Sequence, residues 1–156
     1  MFDAAHQRGI IAGKESTNPL NEGGNFMTMS TYKSLGGPAG GLIVSNDKEI
    51  AKRFNSFACQ GMTANFDVTK SAALSITMLD RRDFGAAFAA EMIEISNVLV
   101  KALDNAGIPV FSGTEYFTKS HQFVLCAEPF GGGQRSSKTL RNAVFFRNWT
   151  TDCCGG

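Results

Sequence analysis

The sequence predicts an α/β fold, in which strands alternate with helices along the chain. Apolar stretches at 26–30 and 42–44 predict two strands, separated by a glycine-rich loop that no regular element tolerates. A long helical pattern follows between residues 67 and 105, and the apolar stretches 108–111 and 122–126 come after it. This order is typical of a mostly parallel sheet with helices on its faces.

The composition favours a folded chain with a hydrophobic core. Hydrophobic residues make up 43% of the 156 residues, and phenylalanine occurs 13 times. Fifteen basic and 14 acidic residues leave a net charge of +1, which gives no electrostatic footprint for nucleic acid or an acidic membrane. We find no apolar run of about 18 residues and no secretory pattern, so we expect no membrane partner.

The cysteine pattern indicates a reducing compartment. Cys59, Cys126, Cys153 and Cys154 form no C-x-x-C pair, so a zinc site is not expected. Cys59 and Cys126 lie in apolar stretches and are expected to be buried small hydrophobic residues. We therefore expect a cytoplasmic protein without a metal site.

Start and stop signals predict the individual helices. Asn46, three residues before Glu49, predicts a capping box at the start of a helix. The pattern from 67 to about 105 predicts helix with a break near 80–83, and a last helix is predicted at 136–146. Gly107 and Pro109 indicate where the long helix ends. Its second half carries an apolar stripe of Phe84, Phe88, Met92, Ile95, Leu99 and Leu103.

Three features at predicted strand ends point to chemistry. Met1 and Phe2 are expected to end a strand, and Asp3 with His6 comes directly after it. Ser30 to Lys33 lies at the end of the strand predicted at 26–30, and a glycine-rich loop spans Gly36 to Gly41. Because ligands of open α/β sheets bind outside the carboxyl ends of strands, these features are expected to share one site.

A lysine and a carboxylate in this setting suit pyridoxal phosphate. The cofactor needs an amine for a Schiff base and a carboxylate that keeps its pyridine nitrogen protonated, roles open to Lys33 and Asp3. Each feature alone has a simpler interpretation: a solvated lysine, a helix-capping aspartate or an ordinary glycine loop.

The same residues carry a resemblance to a known family. Asp3-Ala4-Ala5-His6, with Gly9-Ile10-Ile11-Ala12-Gly13 and Asn18-Pro19-Leu20 after it, resembles the stretch before the cofactor lysine of serine hydroxymethyltransferases. The segment from Ser30 to Gly41 resembles that family's lysine signature. The similarity extends more loosely to about residue 140. It implies the C-terminal half of an aminotransferase-like large domain, followed by the start of a small α+β domain.

The resemblance also implies roles for site residues. Lys33 would bind the cofactor covalently, Asp3 would pair with its pyridine nitrogen, and His6 would lie against the cofactor and serve with Lys33 in catalysis. Ser30 would assist exchange at the lysine. Gly61 and Thr63 match a loop that reaches the cofactor phosphate of a neighbouring subunit, which implies a homodimer.

Departures from the family pattern indicate a divergent relative. Tyr32 replaces the usual histidine before the lysine, Ala39 replaces an arginine, and residues 61–66 replace a double-glycine loop. Relatives of this kind include threonine transaldolases and enzymes of α-substituted serines, so the use of tetrahydrofolate stays open. The family's substrate-carboxylate arginine has no match, because neither Arg135 nor Arg141 stands in the right context.

We therefore expect a partial chain. Residues 1–106 would form part of the cofactor-binding domain with its linking helix, and residues 107–156 part of the small domain. The expected function is that of a hydroxymethyltransferase or aldolase acting on glycine, serine or another β-hydroxy amino acid. The alternatives are an inactive fragment or scaffold that does not bind the cofactor alone, and another enzyme of the superfamily, such as a threonine transaldolase, an aminotransferase or a decarboxylase.

Overall fold

The computed structural model describes residues 1–59, 61–63, 65, 67–111 and 117–142. It forms two compact units, Met1–Glu91 and Met92–Gly156. The first unit contains the sheet and all six predicted site residues. The expected domain boundary between residues 106 and 107 stays a prediction.

The described sheet has three strands in the order β1 (Phe2–Asp3), β2 (Met27–Ser30) and β3 (Gly41–Val44). β1 and β2 are parallel, with Asp3 opposite Thr28. β3 runs antiparallel to β2, because the loop between them is too short for the crossover that a parallel pair needs. Burial alternates along β3, where Leu42 and Val44 are partly buried and Ile43 is 48% exposed, so one face of this strand is open.

The first helix, α1 (Arg8–Ala12), packs closely on its surroundings because two glycines allow it. A Cβ at Gly9 would overlap the backbone carbonyl of Ser34, and one at Gly13 would lie 2.6 Å from the carbonyl oxygen of Gly85. Gly13 also lies against Ala89, which is fully buried. α1 is thus held between the loop after Lys33 and the long helix.

The second helix, α2 (Lys48–Ala58), begins one residue later than the sequence predicts. Asp47, not Asn46, is the N-cap, and its carboxylate accepts hydrogen bonds from the amides of Glu49 and Ile50. Phe54 packs edge-on against Phe26, with ring centroids 4.9 Å apart. This contact places α2 over the start of β2.

The long helix, α3 (Val68–Asn105), is continuous, so the predicted break near 80–83 is wrong. Gly107 has a φ of +77° and the amide of Ile108 donates to Leu103, which ends the helix at the glycine as predicted. The predicted apolar stripe is largely exposed in this chain, at 69% for Phe84 and 49% for Leu99.

The remaining described residues form short elements. Residues 108–111 and 122–126 make one antiparallel bridge, Val110 to Leu125, rather than two strands. A 3-10 helix, Glu128–Phe130, precedes α4 (Gly133–Asn142), which begins three residues before the predicted start. Residues 143–146 of that prediction, Cys153 and Cys154 lie outside the described residues.

The two described cysteines differ in their exposure. Cys59 is exposed, contrary to the buried position expected from its apolar neighbours, because it follows the end of α2; Cys126 is partly buried. Among the described residues, no helix is long and apolar enough to cross a membrane.

Candidate active site

The centre of the candidate site is a contact between two predicted catalytic side chains. Lys33 Nζ lies 3.0 Å from His6 Nε2. The chain holds this pair from both sides, because the Ser34 hydroxyl donates to the carbonyl oxygen of His6 at 2.5 Å and accepts from the amide of Gly9 at 3.1 Å. Ser34 thus ties the lysine loop to the start of α1.

Asp3 and Ser30 lie at the carboxyl ends of the two parallel strands. Both line a cavity of about 830 Å³ between the sheet and α2. Asp3 accepts a hydrogen bond from the amide of Ala5, and the Ser30 hydroxyl donates to the carbonyl oxygen of Ala5 at 3.3 Å. Adjacent parallel strands therefore bring these two residues together, as the sequence predicts.

The structure places the two predicted phosphate-loop residues near α2. Thr63 lines the same cavity as Asp3, and its hydroxyl donates to the carbonyl oxygen of Ala58. A Cβ at Gly61 would collide with the carbonyl of Phe57, so glycine is required for this tight turn. Lys33, His6 and Gly61 do not line this cavity. The structure therefore gathers Asp3, Ser30 and Thr63 around the cavity and pairs Lys33 with His6 outside its lining.

The glycine-rich loop is built around Thr31, which is 3% exposed. Its amide donates to the carbonyl oxygen of Gly40 at 2.8 Å, and its hydroxyl donates to the carbonyl oxygen of Pro38 at 2.5 Å. The amide of Gly37 donates back to Thr31 at 2.7 Å. These bonds fix the loop that follows Lys33, and the carbonyl of Lys33 itself accepts from the amide of Gly36 at 2.9 Å.

Arg8 is a buried cation next to the site. The residue is 2% exposed, and its Nε, Nη1 and Nη2 atoms have no hydrogen-bond partner in the described part of the chain. Burial lowers the pKa of the Arg8 guanidinium from its usual value, and Tyr32 partly opposes this effect. Unpaired burial of this kind costs stability.

Sequence reasoning missed Arg81. Its Nε donates to the carbonyl oxygen of Leu35 at 2.9 Å, and its guanidinium lies 3.9 Å from the ring centroid of Phe88. Because the charged residues at 80–83 predicted a break in the helix, no contact between Arg81 and the loop at Leu35 was expected. A single arginine in the long helix carries no sequence signal for a partner 46 residues away.

Two of the departures from the family pattern, Tyr32 and Ala39, lie at the surface. Tyr32 is 56% exposed and Ala39 is also exposed. Arg135 and Arg141 are exposed on α4. The described residues contain no group of three or more His, Cys, Asp or Glu side chains that could hold a metal ion.

The donor set of the site fits pyridoxal phosphate. Lys33 offers a primary amine at a fixed position, and Asp3 offers a carboxylate on a neighbouring strand end. The cavity beside Asp3 falls within the size range of cofactor sites. These residues would hold the reactive end and the ring nitrogen of the cofactor.

Comparison with curated proteins finds close relatives. The chain is 53% identical over 143 residues to an α-methylserine aldolase from a Ralstonia species, which covers 92% of this chain and 33% of that protein. It is 36% identical over 147 residues to a serine hydroxymethyltransferase from Korarchaeum cryptofilum, covering 94% of this chain and 34% of that protein. The chain thus spans about a third of the length of these relatives. No family model matches it.

A solved structure shares the fold. The crystal structure of L-threonine transaldolase from Pseudomonas fluorescens, in its internal aldimine state, matches with a TM-score of 0.78 and 22% identity. The match covers 85% of this chain and 30% of that one. The predicted fold class, part of an aminotransferase-like α/β fold, is confirmed. The resemblance to the serine hydroxymethyltransferase-like family is confirmed as well, for a partial chain.

Proposed function

We propose that the chain carries the cofactor lysine of a pyridoxal-phosphate-dependent transferase of the hydroxymethyltransferase and aldolase type. The observation that carries this proposal is the 3.0 Å contact between Lys33 and His6, beside the strand end that bears Asp3. The names of the relatives support substrates such as glycine, serine and α-methylserine. Threonine transaldolase activity is the alternative within the same class of chemistry.

Four residues of the candidate site have a defined task in this proposal: Lys33, His6, Asp3 and Ser30. Bound pyridoxal phosphate supplies an electron sink for negative charge at the α-carbon of the substrate. Lys33 presents its amine, which the hydrogen bond to His6 orients. The Asp3 carboxylate favours a proton on the ring nitrogen, because an anion stabilises the cation that it faces. The Ser30 hydroxyl keeps the Ala5 carbonyl beside the strand end.

The wider setting of the enzyme is part of the proposal. We propose a cytoplasmic homodimer in which Gly61 and Thr63 of one subunit reach the cofactor phosphate of the other, with a boundary between large and small domains at 106–107. One-carbon metabolism is the expected context if tetrahydrofolate is the acceptor. The departures at Tyr32 and Ala39 support an acceptor other than the folate.

Titration of the chain with pyridoxal phosphate tests the proposal. We expect a saturable visible absorbance band that Lys33→Ala abolishes and Lys101→Ala leaves intact, because Lys101 is an exposed residue of α3. Borohydride reduction followed by peptide mass spectrometry should place the pyridoxyl group on Lys33. A band that survives in Lys33→Ala contradicts the assignment of the lysine.

Two further outcomes separate the alternatives. If the chain develops no saturable band, the inactive fragment or scaffold is favoured, in keeping with a chain that spans a third of its relatives. If the band forms, assays with α-methylserine, serine and threonine rank the substrates. Transamination without cleavage would favour another enzyme of the superfamily.

A further inference from the structure

The turn after Lys33 receives a contact from the long helix. Leu35 lies two residues beyond Lys33, and its side chain is 2% exposed. Its carbonyl oxygen accepts a hydrogen bond from Arg81 Nε at 2.9 Å. A charged donor makes a stronger hydrogen bond than a neutral one, so this contact is well suited to hold the backbone.

A second contact fixes the direction of the Arg81 side chain. The guanidinium carbon lies 3.9 Å from the ring centroid of Phe88, two helical turns further along α3. This cation–π arrangement limits the rotamers of Arg81 and keeps its Nε aimed at the loop. The side chain is half-buried, so water competes with both contacts only in part.

The loop itself is shaped to receive the arginine. Gly36 has a φ of +75°, a conformation that L side chains rarely adopt. A Cβ at this position would lie 2.9 Å from Arg81 Nη2. Glycine therefore serves two needs here: it allows the turn in which its amide donates to the carbonyl of Lys33, and it leaves room for the guanidinium.

We propose that Arg81 is a positioning residue, which holds the turn from Lys33 to Gly36 so that the lysine amine stays against His6. The proposal rests on the proposed function of Lys33, whose amine must point into the site. α1 and Ser34 hold the His6 side of the pair, and Arg81 holds the far side of the turn. Loss of Arg81 should therefore loosen the Lys33–His6 contact before it loosens the sheet.

Competitive labelling of lysines tests this without cofactor or substrate. The chain is labelled with trace acetic anhydride over a range of pH, and the labelling of Lys33 is divided by that of Lys101. We expect Arg81→Met to raise this ratio by about threefold, the effect of losing roughly one hydrogen bond. Arg81→Lys keeps a donor and should raise it less.

Two further variants complete the experiment, one as a matched control and one as a second test of the same contact. Arg82→Met is the matched control, because Arg82 is an exposed neighbour whose guanidinium pairs with Asp83. Phe88→Leu removes the ring that orients Arg81 but keeps its hydrogen-bond donor, and it should raise the ratio in the same direction. Phe88→Leu decides the question if Arg81→Met does not fold, because Phe88 is already 40% exposed.

The outcomes are distinct from those of the cofactor titration. An unchanged Lys33 to Lys101 ratio in both Arg81→Met and Phe88→Leu overturns the proposal, even if the thermal midpoint falls. An equal rise of the ratio in Arg82→Met also overturns it, because the effect would then not depend on the contact between Arg81 and Leu35. Because the assay contains no pyridoxal phosphate, failure of the chain to bind the cofactor leaves this result readable.

Discussion

Replacing Arg8 by methionine should stabilise the chain. Arg8 is 2% exposed, and none of the three nitrogen atoms of its guanidinium has a hydrogen-bond partner among the described residues. An unsatisfied buried polar group costs about 1–3 kcal/mol, and an unpaired buried charge costs several. Methionine has a similar length and no charge, so it fills the same space without that penalty. We expect Arg8→Met to raise the free energy of unfolding by about 2–4 kcal/mol.

The matched control is the same substitution at Arg81. This side chain has a hydrogen bond to Leu35 and a ring contact with Phe88, so methionine removes favourable interactions. We expect Arg81→Met to lower the free energy of unfolding by about 1–3 kcal/mol. Urea unfolding followed by circular dichroism measures the free energy of unfolding of both variants. The expected result is a rise for Arg8→Met and a fall for Arg81→Met.

The pH dependence of the Arg8 effect has a definite sign. Burial lowers the pKa of the guanidinium in the folded chain, so the unfolded chain binds this proton more tightly. The buried charge of Arg8 therefore destabilises the fold fully at neutral pH. This effect declines only at strongly alkaline pH, where the guanidinium of the folded chain loses its proton. We expect the gain from Arg8→Met to be constant between about pH 6 and 8. A loss of stability in Arg8→Met would refute the reasoning, because the guanidinium would then have a partner.

Two glycine substitutions test the packing and the backbone. Gly9→Ala should lower the free energy of unfolding by about 1–3 kcal/mol, because its Cβ would overlap the Ser34 carbonyl, and should also weaken labelling by pyridoxal phosphate. Gly85→Ala is its control, since there the nearest atom is an Arg81 Cβ at 3.6 Å; equal losses in both would contradict the packing argument. Gly107→Ala should cost about 1 kcal/mol at a φ of +77°, whereas Gly133→Ala, with open space around its Cβ, should be neutral or stabilising in thermal unfolding.

The sequence was sufficient for the features that depend on local chemistry. The strand at Met27–Ser30, the end of α3 at Gly107 and the loop after Lys33 follow from alternation, from a glycine with positive φ and from a cluster of glycines. The placement of Asp3 and Ser30 at neighbouring strand ends followed from the α/β order, because parallel strands bring their carboxyl ends to one edge.

Several local predictions failed for physical reasons. The charged run at 80–83 predicted a break, but charged side chains on an exposed helix face are compatible with helix, so α3 continues through it. Asn46 and Asp47 are both good caps, and only the backbone conformation selected Asp47. β3 turned back on β2 because its connection is short, which no property of its own residues indicates.

The sequence alone therefore determined which reactive groups the candidate site offers: a lysine, a carboxylate and a histidine near strand ends. Tertiary structure alone decided how these groups meet. It paired Lys33 with His6, brought Arg81 onto the carbonyl of Leu35, and buried the Arg8 guanidinium without a partner. Local sequence records which groups a chain offers, but contacts between residues 27 or 46 positions apart exist only once the helices and strands have packed.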